Sequence, residues 1–356
     1  MISAAPAHAV EEIEAKLRQD GDLSTSFQLF SQGAMNQKEL EKAIQKNRYV
    51  SEAISGYIEK FGDRCADELK LETETLRHNP IPLYQNLASM LRRKKKKEQD
   101  SFLDNPLRRE AERIVDIHLS GWRLWLFRRI LKWARKRVQS RENLRFERTR
   151  VFARVREIFR AIAVLFVKEN IILDEKDIFY LEVQEIFGWV RGTATTVNLK
   201  GLIQLRKQEY TRWEKEGKPA DRFYTYGSIW QHNSFIGKGL PPKEGAIQGT
   251  PACPGTVTGL VRRIVDPTTE NIEPGEIMVC YRTDPGWAPL FPNSAAILVE
   301  RGSLLSHSAV VARELGIPTI VAIPNLMERL KTGDKITVFA NDGRVEIHQE
   351  NGEKNE

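Results

Sequence analysis

The stretch that decides the fold is GSLLSHSAVVARELGIPTIVAI, residues 302–323. It begins with a glycine turn and places Ser306 at the expected N-cap of an apolar-faced helix over 307–315. Gly316 supplies a left-handed stop, and the Ile-Pro that follows leads into a buried strand over 319–323. The pattern therefore predicts a helix followed by a strand, with His307 in the first turn of the helix.

That position gives His307 a chemical character. The first turn of a helix has backbone N–H groups without intrahelical acceptors, so it attracts anions and favours the neutral imidazole over imidazolium. A neutral imidazole is nucleophilic, and a phosphoryl group on its nitrogen would meet those N–H donors. The sequence suggests a histidine that carries phosphate, although an ordinary capping or surface role is the alternative for a lone histidine.

The wider segment resembles the phosphohistidine swivelling domain shared by phosphoenolpyruvate synthase, pyruvate phosphate dikinase and rifampin phosphotransferase. The matching residues are Gly302, Ser306, His307, Ala309, Val310, Val311, Ala312, Arg313, Gly316, Ile317 and Pro318. The resemblance implies that His307 is the phosphorylated residue, supported by Gly302 and Ser306, and that its domain swings between two active sites. In pyruvate phosphate dikinases this position resembles a regulatory threonine. Here it is Leu305, which cannot accept phosphate, so the comparison implies that this control is absent.

The rest of the C-terminal region fits a compact β/α domain over 246–350. Strand patterns follow a turn-rich segment over 249–255, and Asn341-Asp342-Gly343 is a strong hairpin signal. The predicted strands cover 256–265, 276–281, 295–300, 335–339 and 344–348.

Two positions beside these strands could support the histidine. The segment 283–287 resembles the turn that faces the histidine in this family, so Thr283 could donate to phosphate and Asp284 could orient the imidazole. An Asx-type turn is the equal alternative for Asp284. For Arg313, we expect a structural ion pair with Glu300 or Glu314.

Residues 1–240 have a different character, because they are highly charged and their apolar residues recur at helical intervals. Pro80 and Pro82 are expected to break the chain, and Pro241–Gly245 reads as a linker. The fold class is therefore α then α/β: a helical domain over 1–240, a linker over 241–245, the β/α domain over 246–350 and a polar tail over 351–356. The predicted helices cover 11–19, 36–61, 106–168, 182–190 and 198–216.

One cluster in the helical part begins at Phe61. It resembles the Phe-Gly-His-Arg segment, followed by a glutamate, in the substrate domain of rifampin-phosphotransferase-like proteins. Asp63 replaces the usual histidine, which puts any acid–base role of that position in doubt. Arg64 and Glu68 are retained and could pair at the border of an acceptor pocket, while an ordinary turn-to-helix junction is equally compatible.

A second cluster contains Arg141, Arg145 and Arg148, which share one helical face at i, i+4 and i+7. Such a cationic row could hold the phosphate that arrives on His307 and position the acceptor hydroxyl. The stretch also resembles an Arg-Glu motif of the family in which Arg145 takes the place of a lysine. A surface face with salt bridges to Glu142 and Glu147 is the alternative.

Composition limits the remaining possibilities. The 356 residues contain no run of 18 apolar residues, no secretion signal is recognised, and Cys65, Cys253 and Cys280 are scattered. We therefore expect no membrane span, no metal site and a cytoplasmic location. The net charge of +7 and the basic run over 91–97 could indicate binding to nucleic acid. We expect instead that the run is a solvated loop and that the protein has no nucleic-acid partner.

The segment 121–133 is rich in tryptophan and arginine. It could lie on a membrane surface, line a helical core, or line a ligand cavity through Trp122, Trp125 and Trp133. These three possibilities stay open at this point.

The sequence also lacks the Gly-rich phosphate loops GxGxxG and GxxxxGK[ST], so no ATP-grasp domain is expected in it. Domain order resembles the C-terminal part of rifampin phosphotransferase. The resemblance implies a phosphotransferase component whose ATP and Mg²⁺ are bound by a separate ATP-grasp partner, with a small-molecule acceptor in the helical domain. A phosphocarrier without its own acceptor site and a non-enzymatic basic adaptor are the alternatives.

Overall fold

The computed structural model describes residues 4–93, 106–216, 223–224, 235–236 and 247–348. The predicted linker over 241–245, the polar tail over 351–356 and Lys94–Lys97 of the basic run lie outside the described residues. The chain forms two compact units, one of residues 1–151 with 246–356 and one of residues 152–245. The predicted boundary at residue 240 divides the chain into consecutive domains, whereas the first compact unit combines residues from both ends of the chain.

Five helices occupy the N-terminal part of the first unit. Helices α3 and α4 replace the single helix predicted over 36–61, because Asn47 ends one and caps the other. The Asn47 side-chain oxygen accepts from the Val50 N–H at 3.1 Å, and its amide donates to Asp20 at 2.7 Å. The five helices are α1 Ala5–Leu17, α2 Gly21–Ser31, α3 Gln37–Lys46, α4 Arg48–Phe61 and α5 Ile81–Leu91.

Pro80 and Pro82 are predicted to break the chain, and they follow the non-helical segment 62–79. They lie at the N-cap and in the first turn of α5, where a missing N–H costs no intrahelical bond. Buried Leu83, Leu87 and Met90 of α5 join a core with α1 to α4. The prolines therefore start a central helix of the first unit.

The long helix predicted over 106–168 is two helices, α6 Pro106–His118 and α7 Gly121–Lys168. The chain reverses at 119–120, and Gly121 has a φ of +56°, a value that glycine adopts without steric cost. Helix α7 is long enough to contribute residues to both compact units.

The second unit contains the last part of α7, a 3-10 segment and two more helices. Its core is apolar and includes Phe166, Ile172, Ile186, Leu199 and Ile203. The remaining elements are the 3-10 segment Glu175–Tyr180, α8 Val183–Arg191, α9 Leu199–Glu216 and the antiparallel pair β1 Phe223–Tyr224 and β2 Phe235–Ile236.

An eight-stranded mixed sheet forms the C-terminal part of the first unit, in the order β3-β10-β9-β5-β6-β7-β8-β4. Strands β5, β6, β7 and β8 are parallel to their neighbours within that set, and the outer pairs are antiparallel. The strands are β3 Ile247–Gln248, β4 Thr250–Cys253, β5 Thr256–Ile264, β6 Ile277–Cys280, β7 Ala296–Val299, β8 Thr319–Val321, β9 Lys335–Phe339 and β10 Arg344–Ile347.

The predicted strands are present with ends shifted by at most two residues, and β3 and β4 of the sheet were missed. Strand β4 lies within 249–255, a segment that the sequence predicts to be turn-rich. It forms an edge of the sheet, where Pro251 is tolerated because an edge strand can leave one N–H position unpaired.

Helix α10 His307–Leu315 follows β7 and returns the chain to β8, as the opening stretch predicts. Its C-terminal Gly316 has a φ of +67°. A short helix, α11 Leu326–Arg329, and a 3-10 segment, Pro285–Asn293, complete the domain. The fold class predicted from the sequence, a helical part followed by an α/β part, is confirmed.

The helices and the sheet domain pack directly together within the first unit. Ser89 Oγ on α5 donates to the carbonyl of Ile272 at 2.7 Å, and the Asn86 amide donates to the carbonyl of Pro289 at 2.8 Å. This seam brings the N-terminal end of α10 close to the helices. Within the described ranges, no helix is both long and apolar enough to cross a bilayer.

Candidate phosphohistidine site

His307 is the first residue of α10, and Ser306 is its N-cap residue, as predicted. Ser306 has the extended backbone of an N-cap, and its carbonyl accepts from the Val310 N–H at 3.1 Å. Its side chain makes no capping bond and instead lies 3.1 Å from Ser308 Oγ. The backbone N–H groups of this turn are therefore not satisfied by the Ser306 hydroxyl.

Burial controls the protonation of His307, which is only 2% exposed. It holds the pKa of His307 well below its usual value, and the cations Arg145 and Arg64 lower this pKa further. Within the described part of the chain, neither ring nitrogen has a hydrogen-bond partner. The imidazole is thus neutral at physiological pH and has a free lone pair for attack.

Arg64 and Arg145 come from sequence positions that are 81 apart, and the fold brings both beside His307. Arg64 is 4% exposed and lies over the Phe146 ring, with 4.6 Å between its guanidinium carbon and the ring centroid. The buried Nε of Arg145, and Nε and Nη1 of Arg64, have no acceptor in the described part of the chain. Buried guanidinium donors without acceptors are suited to an anion that arrives from elsewhere.

Glu68 lies near the same arginines and is almost fully buried. Burial raises its pKa, while Arg64 and a hydrogen bond with Thr149 lower it. In turn, burial lowers the pKa of Arg64, and Glu68 raises it. The predicted association of Arg64 with Glu68 is therefore electrostatic, and the two side chains lie at the same buried site.

Asp284 forms the Asx-type turn that is the alternative to a role beside the imidazole. Its carboxylate accepts from the Gly286 N–H at 3.0 Å and from the Asp67 N–H at 2.7 Å. It therefore joins two backbone segments, and no bond from it to the imidazole is present in the described part of the chain. Burial raises the pKa of Asp284. Thr283 Oγ1 nearby is buried and has no described partner, so its hydroxyl is available to a ligand.

The predicted arginine row divides into three different environments. Arg145 lies beside His307, Arg141 pairs with Glu142 at 2.8 Å and donates to the carbonyl of Leu305 at 2.8 Å, and Arg148 is exposed. Arg141 thus contacts the loop that precedes the histidine. The structure does not bring Arg148 to the imidazole, because it points from α7 toward solvent.

Gly302 lies in a closely packed turn. A Cβ at this position would lie 3.2 Å from Val321 Cβ and 3.3 Å from Ser306 Oγ, so the turn before α10 has little room for a side chain. Arg313 is structural, as expected, but the predicted ion pair with Glu300 or Glu314 was wrong. It donates instead to the carbonyls of Ala252 at 2.7 Å and Leu304 at 2.8 Å.

Asp63, which replaces a histidine of the resembling family, faces a different partner. It pairs with Arg77 at 2.7 Å, so its carboxylate stabilises the chain after α4. Burial raises the pKa of the Cys253 and Cys280 thiols, and none of the three cysteines forms a disulfide. Among the described residues, no group of His, Cys, Asp or Glu side chains could hold a metal ion.

Sequence reasoning missed two residues at this site. The Phe291 ring lies 6.3 Å from the His307 ring, centroid to centroid, and covers it. Gly286 packs against the Cys65–Ala66 backbone so closely that a Cβ would approach Cys65 C to 2.1 Å. The turn 283–287 was singled out from the sequence, but its glycine has a visible function only once the two backbones are seen in contact.

Comparisons with known proteins agree with this arrangement. Residues 1–142 match the rifampicin phosphotransferase fourth domain, and residues 272–343 match the PEP-utilising enzyme mobile domain. The chain therefore resembles these two domains in succession, and the predicted resemblance to the C-terminal part of phosphoenolpyruvate synthase and rifampin phosphotransferase is confirmed.

Several individual proteins are similar to the chain. Rifampicin phosphotransferase of Bacillus cereus is 27% identical over 305 residues, which are 84% of this chain and 34% of the relative. The Bacillus subtilis protein of that name is also 27% identical over 305 residues, 83% of this chain and 34% of the relative. Phosphoenolpyruvate synthase of Aeropyrum pernix is 33% identical over 127 residues, 33% of this chain and 16% of the relative. The chain thus spans about a third of the length of the first two.

Proposed function

We propose that this chain is a phosphotransferase component that carries a phosphoryl group on His307. The group comes from ATP through a separate ATP-grasp protein, which also binds Mg²⁺, and passes to a hydroxyl of a small-molecule acceptor held by the helices. The observation that carries this proposal is a buried neutral imidazole beside two arginines with unpaired donors.

The first step makes a phosphoramidate. The lone pair of a His307 ring nitrogen attacks phosphorus, the P–N bond forms, and the P–O bond to the nucleotide breaks with its electrons on the leaving oxygen. His307 is almost fully buried in the docked arrangement, so this step requires the sheet domain to leave the helices and expose the imidazole. An exposed imidazole with an ordinary pKa near 6.5 is largely neutral at physiological pH, so its nitrogen is available to react.

The second step occurs in the docked arrangement. The acceptor hydroxyl oxygen attacks phosphorus as its proton passes to a base, the P–N bond breaks, and its electrons return to the imidazole nitrogen. Arg64 and Arg145 offset charge on the transferring group, and the N–H groups at the start of α10 hold its oxygens. Glu68 is the candidate base, because its carboxyl is buried beside these arginines.

The decisive experiment mixes the full chain, labelled ATP and the ATP-grasp protein encoded in the same genome. We expect an acid-labile phosphoramidate at position 307 by mass spectrometry under alkaline conditions. His307→Ala should abolish it, while His348→Ala, directly after β10 and with its ring hydrogen-bonded to Thr337, should keep it. Absence of the adduct on the wild-type chain would falsify the proposal. A cytoplasmic location is proposed with it, since ATP and a reducing environment for three cysteines without disulfides are found there.

A phosphocarrier without its own acceptor site is the second candidate. An apolar pocket enclosed by Trp122, Trp125 and Trp133 would argue against a carrier without an acceptor site. These side chains are instead 61–70% exposed, so they do not count against this candidate. The two candidates separate in the same assay. A component with its own acceptor site should accelerate loss of the phosphoramidate when a hydroxyl acceptor is added, whereas a carrier should lose it only to a second protein.

A further inference from the structure

Helix α7 exposes a surface of tryptophans and cations. Three tryptophans lie on one face of α7, at i, i+3 and i+11, and they are 70%, 61% and 66% exposed. Arg129 and Lys136 lie on the same face, and the surface borders a cavity of about 970 Å³. We call this the aromatic–cationic face, formed by Trp122, Trp125, Arg129, Ile130, Trp133 and Lys136.

The charge of this part of α7 is one-sided. Residues 121–141 contain eight arginines and lysines and no aspartate or glutamate. Arg128 and Arg135 pair with Asp116 and Glu112 of α6, on the opposite side of α7. Arg129 has no carboxylate partner among the described residues and lies over the Trp125 ring at 5.4 Å. The face therefore complements a surface that is both apolar and acidic.

The pattern favours a protein over a lipid surface. A helix that lies in a membrane interface separates its apolar and cationic residues onto opposite faces. Here tryptophans and cations alternate on one face, and tryptophan and arginine are the residues that dominate protein–protein binding energy. Large exposed apolar patches of this kind mark interaction sites.

The position of the face limits which protein would bind. Trp133 and Arg141 are eight residues apart, about 12 Å along a helix. Arg141 donates to the carbonyl of Leu305, two residues before His307, at 2.8 Å. A protein on this face would therefore lie beside the loop that carries the histidine. The Bacillus cereus relative also has about two-thirds of its length outside the matched region.

We infer that the aromatic–cationic face is the docking surface for the ATP-grasp protein that phosphorylates His307, which presents an acidic, apolar patch to it. This inference rests on the proposed function. It adds that the donor protein is held by α7 of the helical part, so that the sheet domain can leave the seam while the complex persists.

The test measures phosphorylation of His307 by that ATP-grasp protein as a function of the concentration of this chain. For Trp125→Ser with Trp133→Ser, we expect KM for this chain to rise about tenfold or more with kcat retained, the size typical of interface hot spots. Trp213→Ser, at a 45%-exposed tryptophan of α9, is the matched control and should leave KM unchanged. Arg129→Glu should raise KM further at low salt than at high salt.

The outcomes separate the inference from the function on which it rests. Unchanged KM in the double variant, with normal phosphorylation of His307, would overturn the docking surface and leave the proposed function intact. Sedimentation of the wild type, but not of the double variant, with phosphatidylglycerol vesicles, together with unchanged KM, would assign the face to a lipid surface instead. A dimer that the double variant dissociates, again with unchanged KM, would assign it to a second copy. No phosphorylation of the wild type would remove both proposals.

Discussion

At the scale of single residues, the protonation of His307 is controlled by burial and by two nearby cations. Arg145 and Arg64 lower the pKa of His307 in addition to the effect of burial. Their charge keeps the free imidazole neutral, and the same charge would attract the phosphorylated form. In the docked arrangement, one pair of side chains therefore disfavours protonation of the imidazole and favours binding of its phosphorylated form.

Arg145→Met tests this dual role. Loss of a nearby cation should raise the pKa of His307, although burial should keep it below the ordinary value, and phosphoryl transfer to an acceptor should slow about a hundredfold. NMR titration of the imidazole and single-turnover transfer measure the two effects. Arg148→Met, an exposed position on the same helix, is the control, and equal effects at both positions would contradict the assigned role.

The pH dependence of stability follows from the same depressed pKa. The unfolded chain binds a proton on His307 near its ordinary pKa of 6.5, while the folded chain binds it only at lower pH. Stability is therefore lost as pH falls below about 6.5, by up to about 1.4 kcal/mol per pH unit. Because buried Glu68 and Asp284 have raised pKa values and act in the opposite sense, the measurement must isolate the histidine.

His307→Gln removes the titration and keeps a buried polar side chain. We expect the stability of the wild type relative to this variant to decrease from pH 7 to pH 5 in urea denaturation. A difference that stays constant over this range would show that His307 is protonated equally in both states.

At the scale of elements, the seam depends on backbones that approach closely. Gly286→Ala would place a Cβ within 2.4 Å of Ala66 N, so the turn 283–287 must move away from the helices. We expect a loss of about 1–3 kcal/mol in the free energy of unfolding. Gly56→Ala, in α4 with open space around it, should be neutral or stabilising by up to about 1 kcal/mol. Urea denaturation compares them, and equal stability of both variants would argue against a tight seam.

The junction of α3 and α4 provides a second test at this scale. Asn47→Ala removes the cap of α4 and the bond to Asp20, so we expect a loss of about 1–2 kcal/mol. Asn36→Ala removes the cap of α3 within an exposed capping box and should cost less. Thermal unfolding compares the stability of the two variants. An equal loss in both would contradict a larger contribution from Asn47.

The bounds of the helices and strands also show which features of the fold could be predicted from the sequence. Helix α10 has the predicted bounds, because Ser306 and Gly316 mark its ends with local backbone requirements that sequence reveals. Strand β4 was missed because its ladder partner among the described residues is β8, some 70 residues away. The break between α6 and α7 was missed because apolar spacing alone does not show that Gly121 adopts a positive φ.

At the scale of the whole molecule, the helices and the sheet domain of the first unit share buried polar contacts. Ser89 Oγ is buried, donates to the carbonyl of Ile272 and lies 3.2 Å from the Asn293 amide. We expect Ser89→Ala to cost about 1–3 kcal/mol and to speed hydrogen exchange on both sides of the seam. Ser26→Ala, whose exposed hydroxyl bonds only within α2, is the control. Faster exchange confined to α5 would show that the two parts unfold independently.

The sequence by itself determined the phosphohistidine motif, the order of a helical part and an α/β part, and most strands, because caps, turns and apolar periods are local properties. Tertiary structure decided which distant groups meet the imidazole. Arg64 and Arg145 lie beside His307, Arg148 points to solvent, and Asp284 joins two backbone segments. Helical spacing placed Arg145 and Arg148 on one face, but only packing of α7 against a particular surface fixes which of them is buried.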